Sequence, residues 1–542
     1  MADGLLNKAS IILTPTGYKA GTLYNVAPVV EPYEDFDFAR ASVASRVNSS
    51  GLVEMVGRTL GSELVTCGDF SCADPNDSWD LYETGSSTVT FTDVASINID
   101  GSNSNAGLYQ QNIFENSKTY KIVLIMKATA IFDAEILETE GAATRTTIGD
   151  VSLTTSYQEF TFYFIGTGNY DLFIHRKFGQ TAGQNQQILI SNVSVKEIID
   201  TNNIPRISYD SNGDNGHILL EPTSTNIIPY SNEISLSTGS TVSGTGSSTA
   251  VTDNYAISPD GTQNAARLVA TSATGTGKYA LRDFILSTSS VKSYTQSTYL
   301  KSNTGSDQKV SYYGRDTGVR GFITVTSEWQ RFELSGNSNT TNYYVYLGAR
   351  PEDGTDTSCD ILVYGYQLEQ LGYATSLIPT LTGSTETRAT ETATGAGSAD
   401  LINSTEGVLY AEIAAFEVQP DFFISMNDGT NNNRVIIKFS DGVDNQLTAF
   451  TINSTNASSI THTISNFKQY NKIALSYNSS YLKLFVNGQE VGTSVASPNL
   501  PVGLNVLNLS NLLTDKNVKG KVKSVAVFDE ALSDAELNNL TG

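Results

Sequence analysis

The side chains in this chain that could do chemistry are few and scattered. Hydrolysis of a glycoside needs two carboxyl groups roughly 5 to 10 Å apart across a cleft. The nearest local approach is Glu135-Ile136-Leu137-Glu138-Thr139-Glu140, where Glu138 and Glu140 fall on one face of a strand. No aromatic-lined strand surrounds that pair. The histidines, His175, His217 and His462, stand alone, so a Ser-His-Asp triad has little material, and no Gly-rich phosphate loop is present. Cys67, Cys72 and Cys359 are too few for a disulfide framework. Cys67 and Cys72 could close a small loop, a reducing compartment would leave them as thiols, and no His lies near enough to complete a zinc site. These residues predict no enzyme and no cofactor.

Ring chemistry remains. Aromatic side chains stack on the apolar faces of pyranoses, while Asn, Asp and Gln bond the hydroxyls around them. Trp79, Tyr82, Tyr109, Tyr312, Tyr313 and Trp329 are the candidates for such contacts. Trp79 and Trp329 also sit where β-sandwiches place core or edge-packing aromatics. Asp428, Asp441 and Asp444 offer oxygen ligands for calcium in loops near the C-terminus, without a clustered Asp-x-Asp loop to support it.

Strands must position these residues. Short alternating apolar runs bounded by Gly, Asn, Asp and Ser recur along all 542 residues, and sustained helical periodicity is nearly absent. The pattern predicts an all-β protein. Residues 121–127, 157–164 and 188–197 read as strands of one sandwich, and residues 294–301, 327–334 and 361–369 repeat the plan. Residues 10–14 read as a strand ended by Pro15-Thr16-Gly17, and the prolines of 26–32 block a helix. Asn487-Gly488 between alternating apolar residues predicts a type I′ hairpin turn. Ser533 three residues before Glu536 predicts a capping box and a short terminal helix.

The formal charge is −23, from 33 basic and 56 acidic residues. Nucleic acid demands a basic face, so this balance argues against it, and an anionic membrane is disfavoured likewise. The first residues show no basic region followed by a long apolar run, which predicts neither a signal peptide nor a membrane insertion.

Two separated stretches carry a family resemblance. Phe38-Ala39-Arg40-Ala41-Ser42 with Val47 to Gly51-Leu52-Val53 is the first. Pro205-Arg206-Ile207-Ser208-Tyr209 with Leu219-Leu220-Glu221-Pro222, Thr225-Asn226 and Tyr230-Ser231 is the second. Together they resemble a pattern of tailed-bacteriophage tail-fibre and virion-surface proteins, in which the two halves usually adjoin. Leu64-Val65 to Gly68-Asp69-Phe70, Trp79 and the closing Ile190-Ser191-Asn192-Val193-Ser194-Val195-Lys196-Glu197 resemble galactose-binding-like carbohydrate modules. Glu406-Gly407-Val408-Leu409-Tyr410-Ala411-Glu412-Ile413, Leu482 to Val491, residues 520–528 and Glu530-Ala531-Leu532-Ser533 resemble the laminin-G, concanavalin-A-like family.

These resemblances imply tandem jelly-roll sandwiches followed by a concanavalin-A-like sandwich, with an extended N-terminal virion-anchoring segment. The division expected is an anchor at 1–60 pairing with 201–231, an inserted jelly roll at 61–200, a second at 225–380, a linker at 381–400 and the laminin-G-like sandwich at 401–542. If a sandwich is inserted between Gly57 and Asn203, its two ends must lie together. The function implied is a non-enzymatic virion protein, a tail fibre or receptor-binding component on the tail. Its partners would be other virion proteins, host-surface glycans and further copies of itself, as trimers. A decoration protein of head or tail, using lectin-like folds as spacers, is the other reading.

Overall fold

A computed structural model describes residues 4–27, 34–101, 105–140, 144–180, 183–287, 292–314, 321–337, 342–418, 420–439, 442–511 and 516–542. The fold is almost entirely β. Among these residues no helix is long and apolar enough to cross a membrane.

Two sandwiches share one topology. In the first, a sheet ordered Thr144–Leu153, Phe132–Glu140, Asp171–Arg176, Ala106–Gln110, Asp80–Glu83 faces a sheet whose middle strands are Thr119–Ala128 and Gln186–Asp200. In the second, the order Phe322–Val325, Gln308–Gly314, Asn342–Ala349, Tyr279–Ser287, Gly239–Ser243 reproduces the first sheet strand for strand. The facing sheet, centred on Ser293–Ser302 and Ser358–Glu369, repeats the other. Each sandwich has its own core, Ile122, Leu124, Ile174 and Val195 in one and Leu268, Val345, Ile361 and Val363 in the other. Alternation drives this: in Thr119–Ala128 every second residue is buried.

The opening of the first sandwich is a tight loop. Cys67 and Cys72 form a disulfide, Cys67 and Phe70 adopt positive φ, and the Trp79 indole donates to the Cys67 carbonyl at 3.1 Å.

The C-terminal sandwich packs a large sheet, built on Gly407–Ala415, Asn471–Tyr477 and Gly520–Phe528, against one of Asn456–Thr463, Gln446–Asn453, Asn433–Phe439, Phe422–Asn427 and Val506–Asn508. Asn487 and Gly488 both take positive φ, as a type I′ turn requires. Ser533 and Glu536 close the capping box ahead of Asp534–Thr541.

Its large sheet is completed by distant chain. Ala9–Leu13, buried at every residue, pairs with Gly520–Phe528, and His217–Leu220 pairs with the same strand further along. The N-terminal segment is therefore no arm standing free of the fold: Ile11 and Leu13 sit in the same core as Leu475 and Val527. Of its proline stretch, Pro28 and Pro32 lie outside the described residues.

Around this joint the chain builds a hub. Phe36–Ala39 pairs with Thr392–Thr394, Ser224–Asn226 pairs with Glu386–Arg388, and Ala44–Val47 forms a hairpin with Val53–Val56. Asn203 N donates to Arg40 O and Tyr209 N to Val47 O, at 2.9 and 3.0 Å. Gly51, φ +76°, lets its loop meet residues 211–213, since a Cβ there would stand 2.3 Å from Ser211 O. The first sandwich leaves and returns side by side: Arg58 pairs with Asp200 in the ladder and through a two-point ion pair of 2.8 and 2.7 Å.

Five buried ions sit at the hub's centre. Glu391 accepts from Arg40 Nη1 at 2.6 Å and Arg206 Nε at 2.8 Å. Glu221 accepts from Arg206 Nη2 at 2.8 Å, lies 2.9 Å from Arg388 Nη1 and takes both Ser376 donors. Burial would push the Glu221 carboxyl up, but Arg388 and Arg206 override it and hold it at about 2. This corrects the reading of 381–400 as a linker. Its composition is linker-like, yet Arg388 and Glu391 supply charges that the buried set requires, so the segment is locked into two short ladders.

Candidate functional site

The outward face of the first sandwich's five-stranded sheet carries a row of rings. Asp171–Arg176 alternates, sending Leu172 and Ile174 to the core and Phe173 and His175 to the other side. Register places Tyr109 opposite Phe173 and Gly107 opposite His175, with Tyr82 opposite Gly107. Phe173 meets Tyr82 edge-on at 5.6 Å and Tyr109 at 6.3 Å. His175 stacks on Phe173 at 4.5 Å and meets Phe178 at 4.1 Å. The Arg145 guanidinium lies 4.5 Å from the Phe178 ring. Tyr82, Tyr109 and Phe178 are partly exposed, with Phe173 and His175 buried between them.

Gly107 makes room for this row. A Cβ there would stand 2.7 Å from each of Phe173 Cε2, His175 Cβ and Ile174 O. The rings can lie across the neighbouring strand only because nothing projects at Gly107.

Polar groups frame the rings. Asp80 accepts from Gln111 at 2.7 Å, and Asp171 accepts from Asn112 N at 2.9 Å. Burial, then Asp80 and Asp171, raise the Tyr109 hydroxyl above its ordinary pKa. Burial, with help from Arg145 and Arg176, pushes His175 down to about 3, so its imidazole is neutral. Its Nδ1 stands 2.5 Å from the Arg176 carbonyl, which assigns the proton there. Nε2 then presents a lone pair 3.5 Å from Glu135 Oε2, and it has no hydrogen-bond partner. The arrangement can stack an apolar ring face and accept or donate bonds to hydroxyls at its edge.

The residues singled out from sequence divide sharply. Tyr82 and Tyr109 meet in this row. Trp79 is buried, tilted against Phe70 at 5.7 Å, and presents no face to solvent. Tyr312 lies in the core of the second sandwich. Tyr313 occupies the second sandwich's equivalent face, stacked on Tyr346 at 4.9 Å, but is 2 % exposed, with Arg350 donating to its hydroxyl. Trp329 is half-buried against Val53, Tyr364 and Leu377, where the second sandwich meets the hub. Phe173, His175, Phe178, Arg145 and Gly107 were missed. Alternation in 171–176 marks Phe173 and His175 as sharing a face, but only strand register brings Tyr82 and Tyr109 to them.

The other candidates form no site. Glu138 is fully buried, accepting from Thr167 N at 2.9 Å and from its hydroxyl, while Glu140 is exposed at the strand's end. Asp428 turns back on its own loop, accepting from Thr430 and Asn433. Asp441 lies outside the described residues. Among the described residues no group of three His, Cys, Asp or Glu could hold a metal.

Comparison with known proteins is informative at the C-terminus. Residues 411–538 match the concanavalin A-like lectin/glucanases superfamily. That sandwich is thus laminin-G-like in sequence and in fold. No curated protein matches the chain. Among solved structures, a tandem pair of family 22 carbohydrate-binding modules from a Paenibacillus barcinonensis xylanase aligns over 57% of this chain and 97% of that one, at 11% identity and TM-score 0.22. The family 40 module of a Ruminococcus gnavus sialidase, bound to α2,3-sialyllactose, aligns over 28% and 94%, at 15% identity and TM-score 0.23. A domain of a Geobacillus stearothermophilus arabinanase, in complex with arabinotriose, aligns over 28% and 73%, at 14% identity and TM-score 0.24.

Proposed function

We propose that this protein is a non-enzymatic glycan-binding component of a bacteriophage virion, a tail fibre or receptor-binding protein that holds host-surface saccharides on the ring face of its first sandwich. The observation that carries the binding is the row Tyr82, Tyr109, Phe173, His175 and Phe178, framed by Asp80, Glu135 and Arg145. The phage setting rests on the split pattern, whose Arg40, Arg206 and Glu221 are three of the hub's five buried ions. Attachment to other virion proteins is assigned to the N-terminal side of the hub, and copies associate as trimers.

A glycan array with the full chain tests the binding. Saccharide signals are expected, and Tyr82→Ala with Tyr109→Ala should weaken them at least ~10-fold, the loss of about 1.4 kcal/mol of stacking. Signals untouched by both substitutions would move the site elsewhere. One observation favours the spacer reading instead: the hub holds the second sandwich through Ser376 on the buried Glu221 and the C-terminal sandwich through the pairing of His217–Leu220 with Gly520–Phe528. A chain silent on every array would support a virion spacer.

A further inference from the structure

Where hub, second sandwich and C-terminal sandwich meet, they form an open-sided cavity of about 390 Å³. This is the size range of small-molecule sites and would admit one or two sugar rings. Its charge is opposite to that of the chain. Four cations line it, Arg46, Arg331, Lys468 and Lys521, against Glu221 and Glu333. Arg46 is taken by Glu54 at 2.7 Å, and Glu221 by Arg206 and Arg388. That leaves Arg331, Lys468 and Lys521 against Glu333 in the lining and Glu417 beside Lys468, in a protein whose formal charge is −23.

These three cations come from different units. Arg331 comes from Gln330–Asn337 of the second sandwich, and Lys521 from Gly520–Phe528 of the C-terminal one. Arg331 Nη2 donates to Ser297 Oγ at 2.9 Å and its guanidinium lies 5.5 Å from the Tyr299 ring. Its Nε is buried with no hydrogen-bond partner. Lys468 is also felt by Glu417, whose carboxyl is pushed up by burial and drawn back by Lys519 and Lys468. The wall's potential shows at His217, where burial, with Lys521, Lys523 and Arg206, holds the imidazole neutral with a pKa of about 4. Tyr299 and Tyr373, the latter stacked on Phe416 at 5.4 Å, supply ring surface.

We infer that this junction cavity binds a small saccharide bearing one oxyanion, a carboxylate or sulfate, with Arg331 as the principal anchor and Lys468 and Lys521 adding charge. An arginine fork suits a planar or tetrahedral oxyanion, and a partly enclosed site strengthens the pairing over that in water. The anion site stands on the charges alone. Only the choice of a saccharide rests on the glycan-binding reading above.

Calorimetric titration of the full chain with glucuronic acid, glucose 6-sulfate, glucose and inorganic sulfate tests it. One of the two acidic sugars should bind and glucose should not, the stronger arm telling carboxylate from sulfate. Arg331→Gln should weaken that binding at least tenfold. Lys468→Gln with Lys521→Gln, on exposed side chains that cannot unfold the protein, should weaken it severalfold and flatten its salt dependence. Tyr82→Ala with Tyr109→Ala should leave it unchanged, so a failure of the ring-face reading is distinguishable from a failure here. Absence of binding by both acids, binding indifferent to Arg331→Gln and to the lysine pair, or inorganic sulfate binding as tightly as the sugar acid would overturn the proposal.

Discussion

Replacing Glu391 by Gln should loosen the hub without touching the first sandwich. Glu391 is fully buried and neutralises Arg40 and Arg206, both themselves buried. Burial already lowers the Arg40 pKa, and the charge of Glu391 is the chief force opposing that. Gln keeps the shape and removes the charge, leaving Arg40 without its paired carboxylate. Removing one partner of a buried pair costs ~3–5 kcal/mol. With a urea slope of about 2 kcal/mol per molar for the unit affected, the midpoint should fall by roughly 1.5–2.5 M. The two tryptophans provide the assay. Trp329 packs on Val53 and Leu377 at the hub, and Trp79 lies in the first sandwich's separate core. Urea unfolding followed by fluorescence in Trp79→Phe and Trp329→Phe backgrounds should show the Trp329 transition shifted and the Trp79 transition in place. Adding Arg40→Met should recover part of the loss, because the orphaned charge is then gone. A shift below ~1 kcal/mol, or equal shifts of both tryptophans, would refute the buried ion set as the hub's main fastener.

Three further outcomes are expected. Burial, with Asp253 nearby, pushes Glu233 up from 4.5 to about 7; a raised carboxyl pKa contributes stability that is intact below pH 4.5 and lost as pH rises through 7. Glu233→Gln should therefore match the parent protein in urea midpoint at pH 4.5 and exceed it at pH 8. Gly107→Ala sets a methyl 2.7 Å from Phe173 and His175, which should cost ~1–3 kcal/mol by thermal unfolding and reduce glycan binding along with the Tyr82 and Tyr109 variants. Ala9–Leu13 buries Ile11, Ile12 and Leu13 on the edge of Gly520–Phe528, so residues 401–542 expressed alone should unfold without cooperativity or aggregate, and a peptide of residues 5–14 should restore a sharp transition.

The sequence by itself determined what depends on near neighbours. Alternation over residues 119–128, the Asn487-Gly488 turn and the Ser533–Glu536 capping box are settled by a few adjacent residues, and all stand in the fold. The concanavalin-A-like C-terminus was legible for the same reason, as a run of local patterns in order. Of the site, Tyr82 and Tyr109 were legible as aromatic residues on strands, whereas their meeting with Phe173 and His175 was not. Three-dimensional structure decided which strand lies beside which, because register between strands distant in sequence, such as those of Tyr82 and Phe173, follows from the packing of whole sheets. It also decided the fate of residues 381–400. Their Thr, Gly and Ala read as a linker, and only the assembled hub reveals that Arg388 and Glu391 complete a buried set of ion pairs with Arg40, Arg206 and Glu221. A charge's cost depends on what surrounds it, and for these five residues the surroundings come from four separate stretches of chain.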